Sequence, residues 1–369
     1  MATRPEHFVR ETRKRRVTIS DLASHLNLTK GTVSRALNGY QDIAESTRLR
    51  VRRAAEHMDY RPLSHAQAIR TGRGRSIGLV LQVNEHDGHR PFVAEFLAGL
   101  SEAASRKDWT MTVATAESDE DTLRLLDTLS GARKADGFIL PRTKIDDPRV
   151  TFLRDHDIPF ILYGRTENSS GCAWFDIQSE AATEEAVRRL AALGHRRIGF
   201  VPGGVGYMYS RLRLDGYRAG LAAAGLPVDE GLIANAAVNR TDGETAAAYL
   251  TSLSDPATAI VYSVDRAALG AYRFAQGSGL KIGRDLSLIS YDGIPESTLI
   301  DPPLSTYQVD TRKAGERLAE LLIERIRGKA CEDCRELGAA TFLDRKSHGP
   351  VPANAGKPNT KKPTRETMK

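Results

Sequence analysis

The sequence predicts a small all-α headpiece, a helix-turn-helix, followed by an α/β body of two parallel-sheet lobes. Three observations carry that prediction. Residues 16–62 hold three short amphipathic helical segments and no strand pattern. From residue 76 onward, short apolar runs alternate with helical periodicity, the rhythm of parallel strands covered by helices. Between them lies a basic stretch punctuated by Gly72 and Gly74. The expected division is a basic arm over 1–15, the headpiece over 16–62, a linker over 63–75, the body over 76–345 and a disordered basic tail over 346–369.

In the headpiece, Thr18-Ile19-Ser20-Asp21 reads as a helix start. The Thr18 hydroxyl can take an orphan backbone N–H, and the Asp21 carboxylate can reach back to the cap. Leu22, Ala23 and Leu26 follow at helical spacing, and the pattern breaks at His25-Leu26-Asn27-Leu28. Thr29 then caps a second short helix, Lys30 to Leu37, with Val33, Ala36 and Leu37 inward and Lys30, Thr32, Ser34 and Arg35 outward. Asn38-Gly39 closes it with residues that tolerate positive φ. A third helix is expected from about Ser46 to His57, with Leu49, Val51, Ala54 and Ala55 as its core residues. Two short helices joined by a tight turn, with a third behind them, place the second helix to enter a DNA major groove. Its first turn then offers short polar side chains and an Arg to base edges. A plain three-helix bundle with a solvated basic face has the same helical pattern.

Charge is distributed in keeping with either alternative. Residues 1–75 carry a net +9, residues 76–344 a net −9 and residues 345–369 a net +6. A polyanion-binding module on an unrelated body would look so, and so would an ordinary solvated surface with basic ends. No 18 apolar residues run together and the N-terminus has no apolar stretch, so neither a membrane span nor a secretory signal is expected. The three cysteines, Cys172, Cys331 and Cys334, suit a reducing cytoplasm.

Val17-Thr18-Ile19, Leu28-Thr29-Lys30-Gly31-Thr32-Val33-Ser34-Arg35-Ala36-Leu37-Asn38, Thr47-Arg48 and Tyr60-Arg61-Pro62 together resemble the headpiece of the lactose-repressor/galactose-repressor (LacI/GalR) family. The resemblance implies that Lys30, Gly31 and Arg35 occupy base-reading positions. Thr29, Thr32, Ser34, Asn38 and Thr47 would hold phosphates or order the turn, with Thr18 beside them in the DNA-contacting set. Two positions depart from the family. Gly31 supplies no side chain, and Ala44 stands where a Ser usually caps the third helix. In the linker, Pro62 can open and Gly72 can end a short helix. The family counterpart is a hinge helix that orders on DNA and pairs with its dimer mate. Ile69 takes the place of the Leu that wedges into the minor groove. A flexible basic linker is the other reading of the same residues.

The body reads strand by helix: Ile77–Leu81, Phe92–Arg106, Thr110–Thr115, Thr122–Ser130, then strands at Gly137–Leu140 and Phe160–Tyr163. The rhythm resumes with Thr183–Leu193, Ile198–Val201, Leu212–Ala224, Ala259–Tyr262, Ala267–Gln276 and Leu286–Ser290. This length and pattern suggest two similar lobes with a ligand cleft between them. Gly194-His195-Arg196-Arg197-Ile198, Arg213-Leu214-Asp215-Gly216-Tyr217-Arg218 and Ser290-Tyr291-Asp292-Gly293 with Pro302-Pro303-Leu304-Ser305-Thr306 extend the resemblance to the family's effector domain. That domain is related to periplasmic sugar-binding proteins.

The resemblance implies effector contacts at Arg213 and Asp292, with Arg165 and Asp176 as further candidates near the lobe crossover. A carboxylate accepting from adjacent hydroxyls and an Arg fork donating to ring oxygens is suitable chemistry. An inter-lobe salt bridge between the same two residues is the alternative. Val264, Gly164 and Val309 replace an Asn, an Asp and a Gln of the family, which implies a less polar pocket. Trp174 is either a stacking platform or core.

Other features carry no chemistry. Cys331-x-x-Cys334 has no second ligand pair, so no metal is expected. Gly203, Gly204 and Gly206 lack nucleotide-binding spacing, so no cofactor is expected, and no catalytic constellation is visible. The expected function is a ligand-responsive transcriptional regulator, not an enzyme. Its partners would be operator DNA, a sugar or sugar derivative, and a second copy of the chain, with higher assembly open. A transport-type sugar receptor and an α/β enzyme are the competing classes.

Overall fold

The computed structural model describes residues 17–60, 74–82 and 90–352. The basic arm, the hinge with Ile69 and the chain beyond 352 lie outside the described residues. Two compact units meet in sequence at Gly74 and Arg75, and each is described by itself.

The first unit contains α1 (Ile19–Leu26), α2 (Lys30–Leu37) and α3 (Glu45–His57). Leu22, Ala23, Val33, Ala36, Val51, Ala54 and Ala55 form one buried cluster. Thr18 and Asp21 make the reciprocal capping box expected of them: Asp21 N–H donates to Thr18 Oγ1 (3.3 Å) and Thr18 N–H to Asp21 Oδ2 (2.8 Å). Asn27 turns the chain in the left-handed region at φ 55°. After α2, Gly39 uses positive φ (72°), whereas Asn38 stays at −94°. Leu49 departs from expectation and is 47% exposed. The buried stripe of α3 is Val51, Ala54 and Ala55, and two residues back from Val51 is 200° around a helix, on the far side.

The second unit opens with β1 (Ser76–Gln82), α4 (Arg90–Arg106), β2 (Thr110–Ala116), α5 (Asp119–Gly131), β3 (Gly137–Leu140), α6 (Pro148–Asp155), β4 (Phe160–Tyr163) and β5 (Ala173–Ile177). It then crosses to α7 (Ser179–Ala192), β6 (Ile198–Val201), α8 (Met208–Ala223), α9 (Arg240–Ser252), β7 (Ala259–Tyr262), α10 (Asp265–Ser278), β8 (Ser287–Asp292) and β9 (Ser305–Gln308). It returns with α11 (Thr311–Ile326) and β10 (Arg335–Gly338), and crosses again to β11 (Thr341–Leu343). One sheet runs β10-β5-β4-β3-β1-β2, all parallel. The other runs β11-β9-β8-β7-β6, parallel except for the antiparallel β11 edge. Strands such as β3, β6 and β7 are buried throughout, as both-face burial requires.

Three chain crossings therefore join the lobes. Val309 and Ala340, on two of them, pack against the cores of both lobes. α11 seats against α4 at close range. A Cβ at Gly99 would lie 2.0 Å from the Arg312 carbonyl oxygen, so glycine is what allows the approach.

Residues 346–351 correct the expected tail boundary, because they belong to the second lobe. Leu288 N–H donates to the Ser347 carbonyl (2.7 Å), and Val351 N–H to that of Leu193 (3.0 Å). The buried His195 ring lies between Thr258 Oγ1 (2.8 Å) and the Gly349 carbonyl (3.0 Å). Composition marks this segment as polar, but its backbone pairing is long-range and leaves no local pattern. Among the described residues no helix is long and apolar enough to cross a membrane.

Candidate functional site

In the headpiece, α2 presents Lys30, Gly31 and Arg35 to solvent, with Thr32 and Ser34 half-buried beside them. The Thr29 hydroxyl caps the helix by accepting from Thr32 N–H (3.1 Å) and lies 2.9 Å from Thr32 Oγ1. Asn38 Nδ2 donates back to the Ser34 carbonyl (2.5 Å), so the polar residues at the two ends of the helix also order it. Gly31 is open: a Cβ there would meet only Thr29 Oγ1, at 3.7 Å. Packing does not demand glycine, so the gap it leaves lies on the outer surface. Arg35 is engaged with the Asp42 carboxylate, and its guanidinium carbon lies 5.4 Å from the Tyr40 ring centroid. Thr47 sits half-buried in the first turn of α3, and Thr18 heads α1. Ala44 at the N-cap of α3 makes no side-chain cap.

Between the lobes of the second unit lies a cavity of about 450 Å³. From the second lobe, α8 delivers Arg213, 7% exposed, into it. The guanidinium carbon lies 3.8 Å from the Tyr291 ring centroid and 4.8 Å from that of Tyr209. Two aromatic faces so placed attract and fix a planar cation. Its Nη1 donates to the Ser263 carbonyl and stands 3.9 Å from Asp292 Oδ1. Its Nε is buried with no hydrogen-bond partner among the described residues. A buried donor left without a partner is costly.

Asp292 ends β8 with φ 126°, a conformation that strains any side chain. The buried Asp265, at the start of α10, holds that turn. Its Oδ2 accepts from the N–H groups of Gly293 (2.9 Å) and Ile294 (3.0 Å), and its Oδ1 accepts from the Thr306 hydroxyl (2.6 Å). Burial pushes the Asp265 carboxyl up to about 6. Burial also pushes Asp292 up to about 7, against the pull of Arg213.

The first lobe supplies Leu81, Val93, Phe96 and Tyr163 as an apolar wall, with Phe96 and Tyr163 stacked at 5.3 Å between centroids. Of its charged lining residues, Lys144 pairs with Asp119 at 2.5 Å and Arg149 with Asp147 at 2.7 Å, while the Arg142 guanidinium carbon lies 5.9 Å from the Tyr207 ring centroid. At the crossover, Arg165 binds Asp176 (2.5 Å) in its own lobe and Glu180 (2.7 Å) across in α7. Burial raises the Asp176 carboxyl, opposed by Arg165. Next to Arg165, whose carbonyl accepts from the Thr143 hydroxyl (2.6 Å), the lobes touch directly: Ile145 N–H donates to the Gly206 carbonyl (2.9 Å), and Met208 N–H to that of Thr143 (3.0 Å). Arg211 pairs with Glu167 there at 2.7 Å.

All four residues expected in the cleft line the one cavity. Arg213 and Asp292 share a lobe, so they are not an inter-lobe bridge; Arg165 with Glu180 is. Gly164, Val264 and Val309 line the cavity too. Trp174 does not. It packs on the outer core of the first lobe, with Arg165 6.0 Å from its ring. The cleft aromatics are instead Phe96, Tyr163, Tyr207, Tyr209 and Tyr291. Local signals for two of these existed: Tyr209 precedes Arg213 by one helical turn, and Tyr291 adjoins Asp292. Asp265 and Glu180 had no signal beyond standing in first turns of helices.

Residues 74–344 match the family of periplasmic binding proteins and the sugar-binding domain of the LacI family, and residues 18–63 match the bacterial regulatory proteins of the lacI family. The chain is 34% identical over 351 residues to the HTH-type transcriptional regulator AglR of Rhizobium meliloti (strain 1021), covering 93% of this chain and 97% of that protein. It is 30% identical over 321 residues to the HTH-type transcriptional regulator RafR of Escherichia coli, covering 86% and 94%. Among solved structures it is similar to the complex of the transcriptional regulator CelR with cellobiose: 28% identity, TM-score 0.70, 90% of this chain and 100% of that one. With a capped helix-turn-helix ahead of two parallel-sheet lobes around a cleft, the chain belongs to the LacI family of DNA-binding transcriptional regulators, which are not enzymes.

Proposed function

We propose that this regulator is a homodimeric repressor of sugar-uptake or sugar-utilisation genes, controlled by a sugar-type effector held between its lobes. The observation that carries the reading is Arg213: clamped between two tyrosine rings beside Asp292, it lines a cavity to which both lobes contribute. A hydroxylated ring suits the pair, since its oxygens accept from a guanidinium and its hydroxyls donate to Asp292. One similar protein, the regulator CelR, is seen in complex with cellobiose.

On the DNA side, Lys30, Gly31 and Arg35 face the bases. Thr18, Thr29, Thr32, Ser34, Asn38 and Thr47 hold phosphates or order the turn, and paired Ile69 residues wedge the minor groove. One headpiece reads few base pairs, so two-fold symmetry supplies the rest. Effector acts by favouring one lobe arrangement. Its leverage is the difference between its affinities for the two arrangements, typically ~1–3 kcal/mol.

Linkage supplies the test. Operator DNA must change effector affinity by the same factor by which effector changes operator affinity. Calorimetry of a bound sugar with and without a palindromic operator should give affinities at least fivefold apart. Equal affinities would show that the cleft does not govern the headpiece.

A further inference from the structure

All three cysteines of the chain converge at one edge of the first lobe. There β10 adds beside β5 in parallel register, with Arg335 opposite Trp174, and Arg335 Nε donates to the Cys172 carbonyl (3.0 Å). Cys331 caps, and Cys334 ends, the single 3₁₀ turn Glu332–Cys334 between α11 and β10. Among the described residues no group of three or more metal-ligating side chains forms. The chemistry open to this cluster is therefore that of thiols taken in pairs.

The fold decides which pair. Side chains alternate between the two faces of a strand. Cys172 lies in one core of the first lobe with Leu153 and Phe160, whereas Cys334 lies in the other with Ala173, Phe175 and Ile323. The sheet edge stands between those two thiols. Cys331 and Cys334 share one turn, which the Cys334 N–H closes by donating to the Cys331 carbonyl (3.1 Å). Residues i and i+3 of a 3₁₀ turn eclipse one another, and such a turn holds their Cα atoms within ~7 Å. A disulfide spans Cα separations of about 4.4–6.8 Å.

Exposure decides the roles. Cys331 is half-buried, while Cys172 and Cys334 are shut off from solvent. Cys172 Sγ is also engaged by Arg154 Nη2 (3.0 Å). Burial raises the thiols of Cys172 and Cys334, and the neighbouring Cys331 adds to the rise in each, so neither is a ready nucleophile toward solvent.

We propose that Cys331 and Cys334 form a thiol–disulfide exchange site for small organic disulfides, with Cys331 attacking and Cys334 resolving. The Cys331 thiolate, its proton given to water, attacks one sulfur of the external disulfide. That S–S bond breaks, and the leaving thiolate takes up a proton. Cys334 then loses its proton, attacks Cys331 Sγ and releases the second external thiol, which is protonated in turn. Two protein thiols are oxidised to one disulfide, and one external disulfide is reduced to two thiols. The product staples the turn that leads from α11 into β10, the strand from which the chain makes its last crossing between lobes.

Mass spectrometry of the full chain, reduced and then incubated with glutathione disulfide, tests this. Free thiols are alkylated in denaturant before digestion. Trypsin cuts after Lys329 and Arg335, so residues 330–335 leave as one peptide that holds both cysteines of the pair and not Cys172. The expected product is that peptide lighter by two hydrogen atoms, with Cys172 alkylated. Cys334→Ser should trap a glutathione adduct on Cys331, and Cys334→Ala, which adds no polar group to the core, should do the same. Cys331→Ser should slow the reaction at the two remaining cysteines at least tenfold. Thermal melting before oxidation confirms that each variant is folded. A disulfide joining Cys331 to Cys172 would overturn the pairing. An adduct on Cys172 in the native chain would overturn the attacking role of Cys331, and a stable adduct on Cys331 of the parent chain would overturn the resolving role of Cys334. A chain that oxidises only in denaturant would overturn the site altogether.

Discussion

The headpiece and the cleft put similar side chains to opposite uses. Between Thr18 and Thr47 the candidate contacts lie close together in sequence and are exposed or half-buried. In the cleft they come from as far apart as Leu81 and Val309, and the charged pair at the centre is largely buried. DNA brings its own extended surface, so its reader can wait solvated, with Arg35 parked on Asp42 and Tyr40. A small ligand must be enclosed, so its site carries the desolvation cost in advance. That cost shows in Asp292, with its raised pKa and left-handed backbone, and in the unpartnered Nε of Arg213. Mutations should therefore act strongly and through pH in the cleft, and more weakly, by exchange of partners, in the headpiece.

The largest effect is expected at the buried pair. Arg213→Ala should weaken effector binding on the order of 100-fold, because a hydrogen bond from a charged donor to the ligand is worth ~1.5–3 kcal/mol. Operator binding without effector should persist, and a gel-shift assay beside calorimetry separates the two. The same pair predicts a pH profile. Asp292 loses its proton only near pH 7, and the ionised form is the better acceptor for hydroxyls. Effector affinity should then fall as pH drops from 8 to 6, by at most about tenfold per unit. Asp292→Asn should flatten that profile, and an unchanged slope would mean that another group titrates.

A smaller effect belongs to the headpiece. Arg35→Ala should lose ~1–3 kcal/mol of discrimination between operator and altered operator, the worth of a bidentate base contact. Asp42→Ala should do the reverse, since it frees Arg35 from a surface pair worth ~1 kcal/mol or less, and binding should tighten a few-fold. If Asp42→Ala weakened binding, Asp42 would be orienting Arg35 for the groove and not holding it back.

The smallest concerns neither ligand. Ala44→Ser supplies the cap that α3 lacks, at a residue with extended backbone (ψ 140°), and should stabilise the headpiece by ~1 kcal/mol. Thermal melting of the full chain should show this in the headpiece transition alone. No shift would mean that the Ala44 conformation cannot bring a hydroxyl to the open N–H groups.

Local rules made the headpiece legible almost to the residue. The Thr18–Asp21 box, the Thr29 cap and the Val33–Ala36 face all depend on neighbours within four positions. Leu49 escaped because the buried stripe of α3 is set by what packs on it, not by hydrophobicity alone. In the body, apolar runs such as Gly137–Leu140 and Ile198–Val201 announced themselves. By contrast β5, β9, β10 and β11 did not, being short, mixed in polarity and defined by partners far along the chain.

By itself, then, the sequence determined the helix-turn-helix, the alternating order of strands and helices, and the family motifs that name Arg213 and Asp292. Those follow from periodicity, capping and short spacing, which are properties of neighbouring residues. Only the tertiary structure decided that these two share a lobe and that Asp265 pins the turn beneath one of them. Tertiary structure also decided that Glu180 receives Arg165 across the crossover, and that Tyr163 faces the cleft while Trp174 is turned away from it. Each of those depends on where three chain crossings bring distant segments together, and a linear pattern holds no record of that distance.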